Sequence, residues 1–371
     1  MFMLKGIGDL FRKKLRIGSK RVLGVDIGTS SIRVVEISRR GYAYKLENYG
    51  EIELSFIREQ PFLVYKKDTL ILSNKRIAKA LQAILKEAGI QTREANFSIP
   101  DYCSFSTSFK LPSMDKEEIP EAVNYEVRPY IPLPLSEITL DWSVIEGEIS
   151  KTPLKVLVVA IPNDIIAQYQ EIAQFAELNL RVLEPEVLSL SRALIKEKDK
   201  TIGIIDIGAR STTYNILAEG ILKMSYSFNV GSNELTEAIV KSLNIDYNKA
   251  EGMKKEFGLS FNNQQNNNNQ NNKKNIRYLL LPLIDLILGE AKKFFRDFYQ
   301  NEGKEVEKVI LAGGMVYMPG LKEYFSSELK KEIIIANPFL GLGHPPELIK
   351  NLELMGPSYT IAVGVALKGL E

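Results

Sequence analysis

Hydrophobic positions along the chain fall into short β-type runs and longer helical stripes. Val22–Ile27 and Ile32–Ile37 are β-rich runs separated by Gly28, Thr29, Ser30 and Ser31, which reads as strand, tight turn and strand. Residues 97–183 read coarsely as two strands, a helix at about 115–128, a proline-broken corner, two more strands (the second being Val156–Ile161) and a helix at about 163–177. A helix is expected over Glu184–Leu194, a second hairpin over 201–217 and a strand at Val309–Leu311. A long amphipathic helix is expected at about 276–300, carried by Tyr278, Leu281, Ile284, Leu288, Ala291, Phe295 and Phe298. Pro319 opens a helix through Leu321, Tyr324 and Phe325, and a final helix runs from Ser358 to Gly369.

Two segments break this pattern. Residues 1–21 set Lys5, Arg12, Lys13, Lys14, Arg16, Lys20 and Arg21 against a single acid, Asp9, with Phe2, Leu4, Ile7, Leu10, Phe11 and Leu15 interleaved at roughly helical spacing. The arm reads either as a disordered solubilising segment or as a short basic helix lying on an anionic membrane surface. Residues 262–272 are all Asn or Gln, a tract with nothing apolar to bury, expected to be a disordered loop without chemistry.

Composition narrows the chemistry. The 371 residues are 45% hydrophobic and 25% charged with a net charge of +2. The length suggests two or three domains at about 150 residues each, and the charge balance argues against a nucleic-acid coat protein. One cysteine, Cys103, excludes an internal disulfide and a thiolate zinc site, and fits a reducing cytoplasm. One histidine, His344, leaves no histidine metal cluster. No apolar stretch reaches the ~18–20 residues of a membrane-spanning helix.

The chain carries an internal echo. Aligning Asp26 with Asp206, 180 positions on, also superposes Ile27 on Ile207, Gly28 on Gly208 and Ser31 on Ser211. In each copy an apolar run ends at Asp, then Gly, then small residues, then a second apolar run. The Gly permits a backbone geometry that a side chain would block. The small residues let backbone N–H groups approach a polyphosphate. The Asp is a hard oxygen donor suited to Mg²⁺ or its waters. One such hairpin is more often a plain turn; two in register, facing each other, would clamp one phosphate chain from both sides. A third element, Leu311-Ala312-Gly313-Gly314-Met315, runs a strand into a Gly pair on which a flat ligand can lie, or is an ordinary strand–turn–helix.

These three elements in this order resemble the actin-like ATPase superfamily. The stretches at Glu184–Leu194 and Ser358–Gly369 match its two connecting helices, with Ser189, Ala362, Gly364 and Ala366 small enough for a close crossing. The resemblance implies an α/β, actin-like ATPase fold: two ribonuclease-H-like halves around a nucleotide cleft, with a small α+β insert in the first half. It implies a basic arm at 1–21 and a first half at 22–96, completed by 184–200 and 345–371. It implies an insert at 97–183 and a second half at 201–344, with a smaller subdomain at about 231–300 holding the 262–272 loop.

The same resemblance implies ATP with Mg²⁺. Gly28, Thr29, Ser30 and Ser31 would meet the β- and γ-phosphates, and Gly208, Ala209, Arg210, Ser211 and Thr212 would cover their other side. Asp26 and Asp206 would hold the metal's water shell. Gly313, Gly314 and Met315 would flank adenine, and Gly231 would join the nucleotide site. Glu251 and Lys254, one helical turn apart, match a ribose and adenine contact of the chaperone branch, or are a solvated charge pair. Glu184 is the candidate for positioning an attacking water, with Glu186 behind it, or simply caps its helix. Arg210 departs from the small residue of relatives; it either pairs with a phosphate or reaches solvent.

The insert separates the branches. Leu111-Pro112-Ser113-Met114, Glu126 followed by Tyr130-Ile131-Pro132-Leu133-Pro134, and Leu140-Asp141-Trp142 resemble the type IV pilus assembly family PilM more than the division protein FtsA. The prolines 129, 132 and 134 mark an exposed corner, either a docking edge or a rigid turn. FtsA relatives continue past the last helix to a membrane-targeting segment, whereas this sequence reads only to Glu371, which is expected to favour PilM. The resemblance implies a cytoplasmic ATP-binding adaptor, at most a slow ATPase, peripheral to the inner face of the membrane. It would dock on the cytoplasmic N-terminal peptide of the inner-membrane protein PilN and meet pilus motor ATPases; nucleic acid is not expected. The alternative is an FtsA-like homologue that polymerises at the membrane. A small-molecule phosphotransferase ranks last, because no acceptor-activating Asp stands out.

Overall fold

The structure, a computed structural model, describes residues 20–53, 65–66, 69–70, 73–197, 199–260 and 267–371. The chain forms two compact units. The first takes the chain up to Ala193 with Phe339–Ile349 and Ile361–Glu371; the second takes Leu194–Pro338 and Lys350–Thr360.

In the first unit β1 (Lys20–Ile27), β2 (Ser31–Arg40) and β3 (Ala43–Glu53) form an antiparallel meander. The short pair β4 (Tyr65–Lys66) and β5 (Thr69–Leu70) precedes α1 (Asn74–Glu87) and β6 (Glu94–Ile99), which runs parallel to β1. Then come β7 (Phe105–Leu111), α2 (Ile119–Glu126), β8 (Ile138–Glu146), β9 (Leu154–Pro162), α3 (Asn163–Phe175), β10 (Asn179–Pro185) and α4 (Glu186–Leu194). The second unit holds β11 (Ile202–Ile207), β12 (Thr212–Ala218), β13 (Ile221–Phe228), α5 (Ser232–Leu243), α6 (Tyr247–Phe257), α7 (Asn267–Glu302), β14 (Lys308–Ala312), α8 (Leu321–Leu329) and β15 (Glu332–Ile335). The chain ends with β16 (Leu342–Gly343), which joins β3, and α9 (Ile349–Lys368).

The internal echo is topological. The first sheet runs β3-β2-β1-β6-β10, with β16 at its edge, and the second runs β13-β12-β11-β14-β15. In both, three consecutive strands pair antiparallel and two more add in parallel beside the first of them. Each sheet buries one face in its own core. In the first, Val25, Ile27 and Phe97 pack under Leu81 of α1 and Tyr169 of α3, with the Phe97 and Tyr169 rings edge to face at 6.1 Å. In the second, Ile205, Tyr214 and Ile216 pack under Ile284, Leu288 and Phe298 of α7.

The insert is smaller than 97–183. β6 and β10 belong to the six-stranded sheet, and α3 packs on the first core. What stands apart is the three-stranded sheet β7-β9-β8 with α2. β9 reads as an unbroken apolar run because it serves two cores. Val156, Val158 and Ala160 face the insert's core and Val159 and Ile161 face the first, as expected for a strand covered on both faces.

Other boundaries differ for identifiable reasons. Lys20 and Arg21 are strand residues, not arm, because they pair with Arg39 and Ser38; residues 1–19 lie outside the described residues, with the amphipathic reading placed on them. α2 starts at Ile119 with Pro120 in its first turn, where proline is tolerated. Glu184 and Pro185 end β10, opposite Ser98 and Ile99, rather than opening a helix. α7 begins at Asn267, inside the Asn/Gln run; no Gly or Pro stops the helix from propagating back into it, and propagation is cheap once a helix exists. Residues 262–266 lie outside the described residues. Tyr278, read as part of the apolar stripe, is exposed.

α9 starts nine residues before Ser358 and passes through Pro357. A proline cannot donate to the carbonyl four residues earlier, here that of Glu353. The Tyr317 hydroxyl donates to that carbonyl instead, at 2.7 Å.

Candidate functional site

The two hairpins have the same turn. Gly28 N donates to the Ser31 carbonyl at 3.0 Å, and Gly208 N donates to the Ser211 carbonyl at 2.9 Å. A Cβ on either glycine would stand 3.1 Å from that serine oxygen, so neither turn closes comfortably around a side chain. Thr29, Ser30, Ala209, Arg210 and Ser211 are all half-buried. Ser31 Oγ is buried and has no hydrogen-bond partner among the described residues.

The carboxylates below the turns differ. Asp26 is buried. Its Oδ1 accepts from Ser98 Oγ at 3.2 Å, and its Oδ2 lies 3.7 Å from Arg33 Nη1. Burial pushes its carboxyl above the usual range, and the Arg33 charge only partly offsets this. The Asp26–Arg33 pairing is legible in the hairpin itself: the turn sets Ile27 opposite Ile32, so Asp26 must oppose Arg33. In the second copy Asp206 opposes Thr213.

Gly313 follows β14 at φ +96°. Its N donates to the Pro357 carbonyl at 3.0 Å. A Cβ there would meet the Ile207 carbonyl at 2.2 Å and Asp206 Oδ1 at 2.8 Å. The glycine is required by contact with the strand that carries Asp206. Gly314 is exposed, and a Cβ there would meet nothing nearer than Ser358 Oγ at 3.5 Å. Met315 differs from its expected role: its side chain is buried in the second core, so only its backbone is available to a ligand.

The first turn of α5 is tied to the second hairpin. Ser232 N and Asn233 N donate to the carbonyls of Gly208 and Ala209 at 2.9 and 2.8 Å. A Cβ on Gly231 would collide with the Ala209–Arg210 backbone at 2.8 Å, which explains the glycine structurally. The Thr212 hydroxyl donates to the Val230 carbonyl at 2.8 Å, so it fastens this junction. Arg210 sits close enough to influence Glu234 in the first turn of α5.

Glu251 and Lys254 are not a solvated pair. Lys254 is 2% exposed. Its Nζ lies 2.6 Å from Glu251 Oε2 and donates to Ser232 Oγ at 2.6 Å and Thr236 Oγ1 at 2.7 Å. Burial holds the ammonium below its usual range, with Glu251 pulling the other way. The pair fixes α6 against the first turn of α5, beside the second hairpin.

Glu184 has a different occupation from the one expected. It is buried, and Arg192 grips both of its oxygens: Nη1 to Oε1 at 2.5 Å and Nη2 to Oε2 at 3.0 Å. Ser189 Oγ also donates to Oε1, at 2.8 Å. Arg192 reaches on to the Gly364 carbonyl and Glu371, each at 3.0 Å. A carboxylate held bidentately in this way is a structural clasp. The crossing of α4 with α9 is as close as the small residues implied: a Cβ on Gly364 would lie 1.9 Å from the Ser189 carbonyl.

Three residues carry weight without a sequence signal strong enough to find them. Ser98 is 72 positions from Asp26, and Arg192, eight positions from Glu184, ties it to Gly364 and Glu371, which lie 172 and 179 positions on. Asp101 caps α4 from outside: its Oδ1 accepts from Val187 N at 3.1 Å, while its Oδ2 is buried with no partner among the described residues. Burial pushes this carboxyl up to about 7.

A family profile, type IV pilus assembly protein PilM, matches residues 24–370. This chain belongs to the PilM family. Its fold is the actin-like ATPase fold, α/β with two halves of matching topology. A solved structure of a PilM–PilN type IV pilus biogenesis complex superposes with a TM-score of 0.81 at 23% identity, covering 94% of this chain and 98% of that one. MreB5 of Spiroplasma citri bound to AMPPNP superposes at a TM-score of 0.53 and 13% identity, covering 95% and 96%. The division protein FtsA of Enterococcus faecalis is 22% identical over 352 residues, 85% of this chain and 77% of that protein. No helix among the described residues of this PilM-family chain is long and apolar enough to cross a membrane.

Proposed function

We propose that the chain is a nucleotide-loaded adaptor of the type IV pilus assembly machinery. It binds Mg²⁺-ATP, hydrolyses it slowly or not at all, and docks on the cytoplasmic N-terminal peptide of the inner-membrane protein PilN. The observation that carries the nucleotide is the duplicated turn, with one glycine–serine hydrogen bond repeated in both halves. The existence of a PilM–PilN complex supports the partner.

The residues fit the cofactor. Ser31 Oγ is a buried hydroxyl awaiting a partner, and Gly28 and Gly208 leave their turns without side chains for backbone N–H groups to approach phosphate oxygens. In this reading Gly28 to Ser31 and Ala209 to Ser211 bind phosphate. Asp26 and Asp206 order the water shell of Mg²⁺, which takes one or two carboxylates and keeps several waters. When bound, Mg²⁺ neutralises phosphate charge. Lys254 and Glu251 hold the α5 turn that backs the second hairpin, and Gly231 lets that turn close. Gly313, Gly314 and the Met315 backbone take the adenine. Arg210 adds a cation beside the phosphates.

Slow turnover follows from Glu184. Hydrolysis needs a polar group that orients the attacking water, and both Glu184 oxygens are held by Arg192. In the proposed setting the protein is peripheral to the inner face of the membrane, touches it through residues 1–21, and meets the pilus motor ATPases.

Equilibrium titration of ATP with Mg²⁺ tests the nucleotide, using the full chain and Gly208→Val. Wild-type saturation with at least tenfold weaker binding by the variant supports the reading. Absence of wild-type binding sinks it. A labelled PilN N-terminal peptide, titrated separately, tests the adaptor role; no binding with or without ATP removes PilN.

A further inference from the structure

One end of the first sheet is basic. Five adjacent strands each bring a base to it: Arg181 in β10, Arg93 just before β6, Lys20 in β1, Arg39 and Arg40 in β2, and Lys45 in β3. Lys20 lies directly opposite Arg39 in the β1–β2 register. Like charges placed directly opposite in an antiparallel pair are unfavourable. Partial loss of solvent around the otherwise exposed Lys20, and the charges of Arg39 and Arg181, hold its ammonium below its usual range, with Glu94 only partly offsetting them.

The acids at this end are committed. Glu94 is paired to Arg181, Glu47 to Lys45 at 2.8 Å and Glu36 to Arg21 at 3.7 Å, while Arg39 meets no acid among the described residues and donates to the carbonyls of Gly41 and Leu370 at 2.8 and 2.5 Å. Arg40 is exposed, and beside it the β2–β3 turn, with Gly41 at φ +58°, lifts Tyr42 to 97% exposure. An amphipathic ring at the tip of a basic edge is what a bilayer interface accommodates. The first sheet's β1 begins at this end, with Lys20. Asp26 and the Gly28 turn lie at the far end of β1 and β2.

We propose that this end of the first unit is a membrane-docking surface that binds anionic lipid headgroups. The opposed Lys20–Arg39 pair is relieved by lipid phosphates, the exposed Arg40 adds to the attraction, and Tyr42 enters the headgroup layer. The surface is distinct from the arm and acts with it, and it leaves the Gly28 turn pointing away from the bilayer. It deepens the membrane contact proposed above and rests on that reading, though not on the nucleotide or PilN readings.

The test is co-sedimentation of the full chain with vesicles of phosphatidylcholine alone or with one-third phosphatidylglycerol. The variants are Lys20→Gln/Arg40→Gln, Tyr42→Ser, and Arg12→Gln/Lys13→Gln/Lys14→Gln in the arm. Each base near an anionic surface is worth about a fivefold change, so the Lys20/Arg40 pair is expected to weaken binding to anionic vesicles about thirtyfold. Tyr42→Ser weakens it less, and neutral vesicles bind neither protein. An unchanged partition for Lys20→Gln/Arg40→Gln, with loss only in the arm variant, overturns the proposal. Displacement of wild type by millimolar glycerol phosphate also overturns it, because the partner is then a small anion and not a surface. Circular dichroism melts of the variants check folding; both substituted side chains are exposed.

Discussion

Arg192 closes on Glu184 through both carboxylate oxygens, joining the end of β10 to α4, and through Gly364 and Glu371 to the C-terminal part of α9. Removing one partner of a buried ion pair leaves an uncompensated charge and costs about 3–5 kcal/mol, whereas replacing both is far milder. Arg192→Ala is therefore expected to destabilise strongly, and Glu184→Leu/Arg192→Met to lose much less, in urea unfolding. If Arg192→Ala lost under ~1 kcal/mol, the clasp would be ornamental.

The two glycines after β14 should separate structure from binding. Gly313→Ala forces a Cβ to 2.2 Å from the Ile207 carbonyl at a positive φ. It should cost more than ~2 kcal/mol and disturb the strand that carries Asp206. Gly314→Val brings its Cβ only into ordinary contact with Ser358 Oγ, at 3.5 Å, and should leave the melting temperature within a degree, while weakening ATP binding at least tenfold. Equal ATP affinity for Gly314→Val would take the adenine away from this loop.

Asp101 makes stability depend on pH. Its carboxyl titrates near 7 in the folded protein and near 3.9 unfolded. The unfolded chain releases this proton first, so the group's contribution is full below pH ~4 and is lost as pH rises toward 7. Asp101→Asn keeps an acceptor for Val187 N and removes the charge. It should raise the melting temperature by ~2–4 °C at pH 8 and not at pH 4.5. A rise of equal size at both pH values would mean the effect is not ionisation.

Tyr317 and Pro357 should be coupled. Tyr317→Phe leaves the Glu353 carbonyl without its donor and should cost about 1 kcal/mol. Pro357→Ala restores a backbone donor, so Tyr317→Phe should then cost little. An unchanged penalty in the double-mutant cycle would show that the hydroxyl does not serve the proline's orphan.

The hairpins were readable because everything they need is local. Alternating apolar residues, one Asp, one Gly and small turn residues specify strand, turn and strand within 16 positions of each other. Even Asp26 opposite Arg33 follows once the turn is placed. Gly24, by contrast, looks like an ordinary strand glycine; it is required because a Cβ there would meet the Ala362 carbonyl of α9 at 2.0 Å. The expected insert ran too long because β6, β10 and α3 have no local mark of the sheet they join. The final helix is expected only from Ser358, just after Pro357, and its earlier start is not marked locally, since the donor that serves the Glu353 carbonyl, Tyr317, is 40 positions from the proline.

By itself the sequence determined the duplicated turns, the strand–Gly-pair–helix element and the order in which they come. These rest on steric limits of the backbone and on hydrophobic period, which act over a few residues. Tertiary structure alone decided that Glu184 is held by Arg192, that Lys254 is buried in the α5 junction, and that Met315 belongs to the core. Long polar side chains choose among partners only after packing has excluded water and set their reach, and that choice is written in no local pattern.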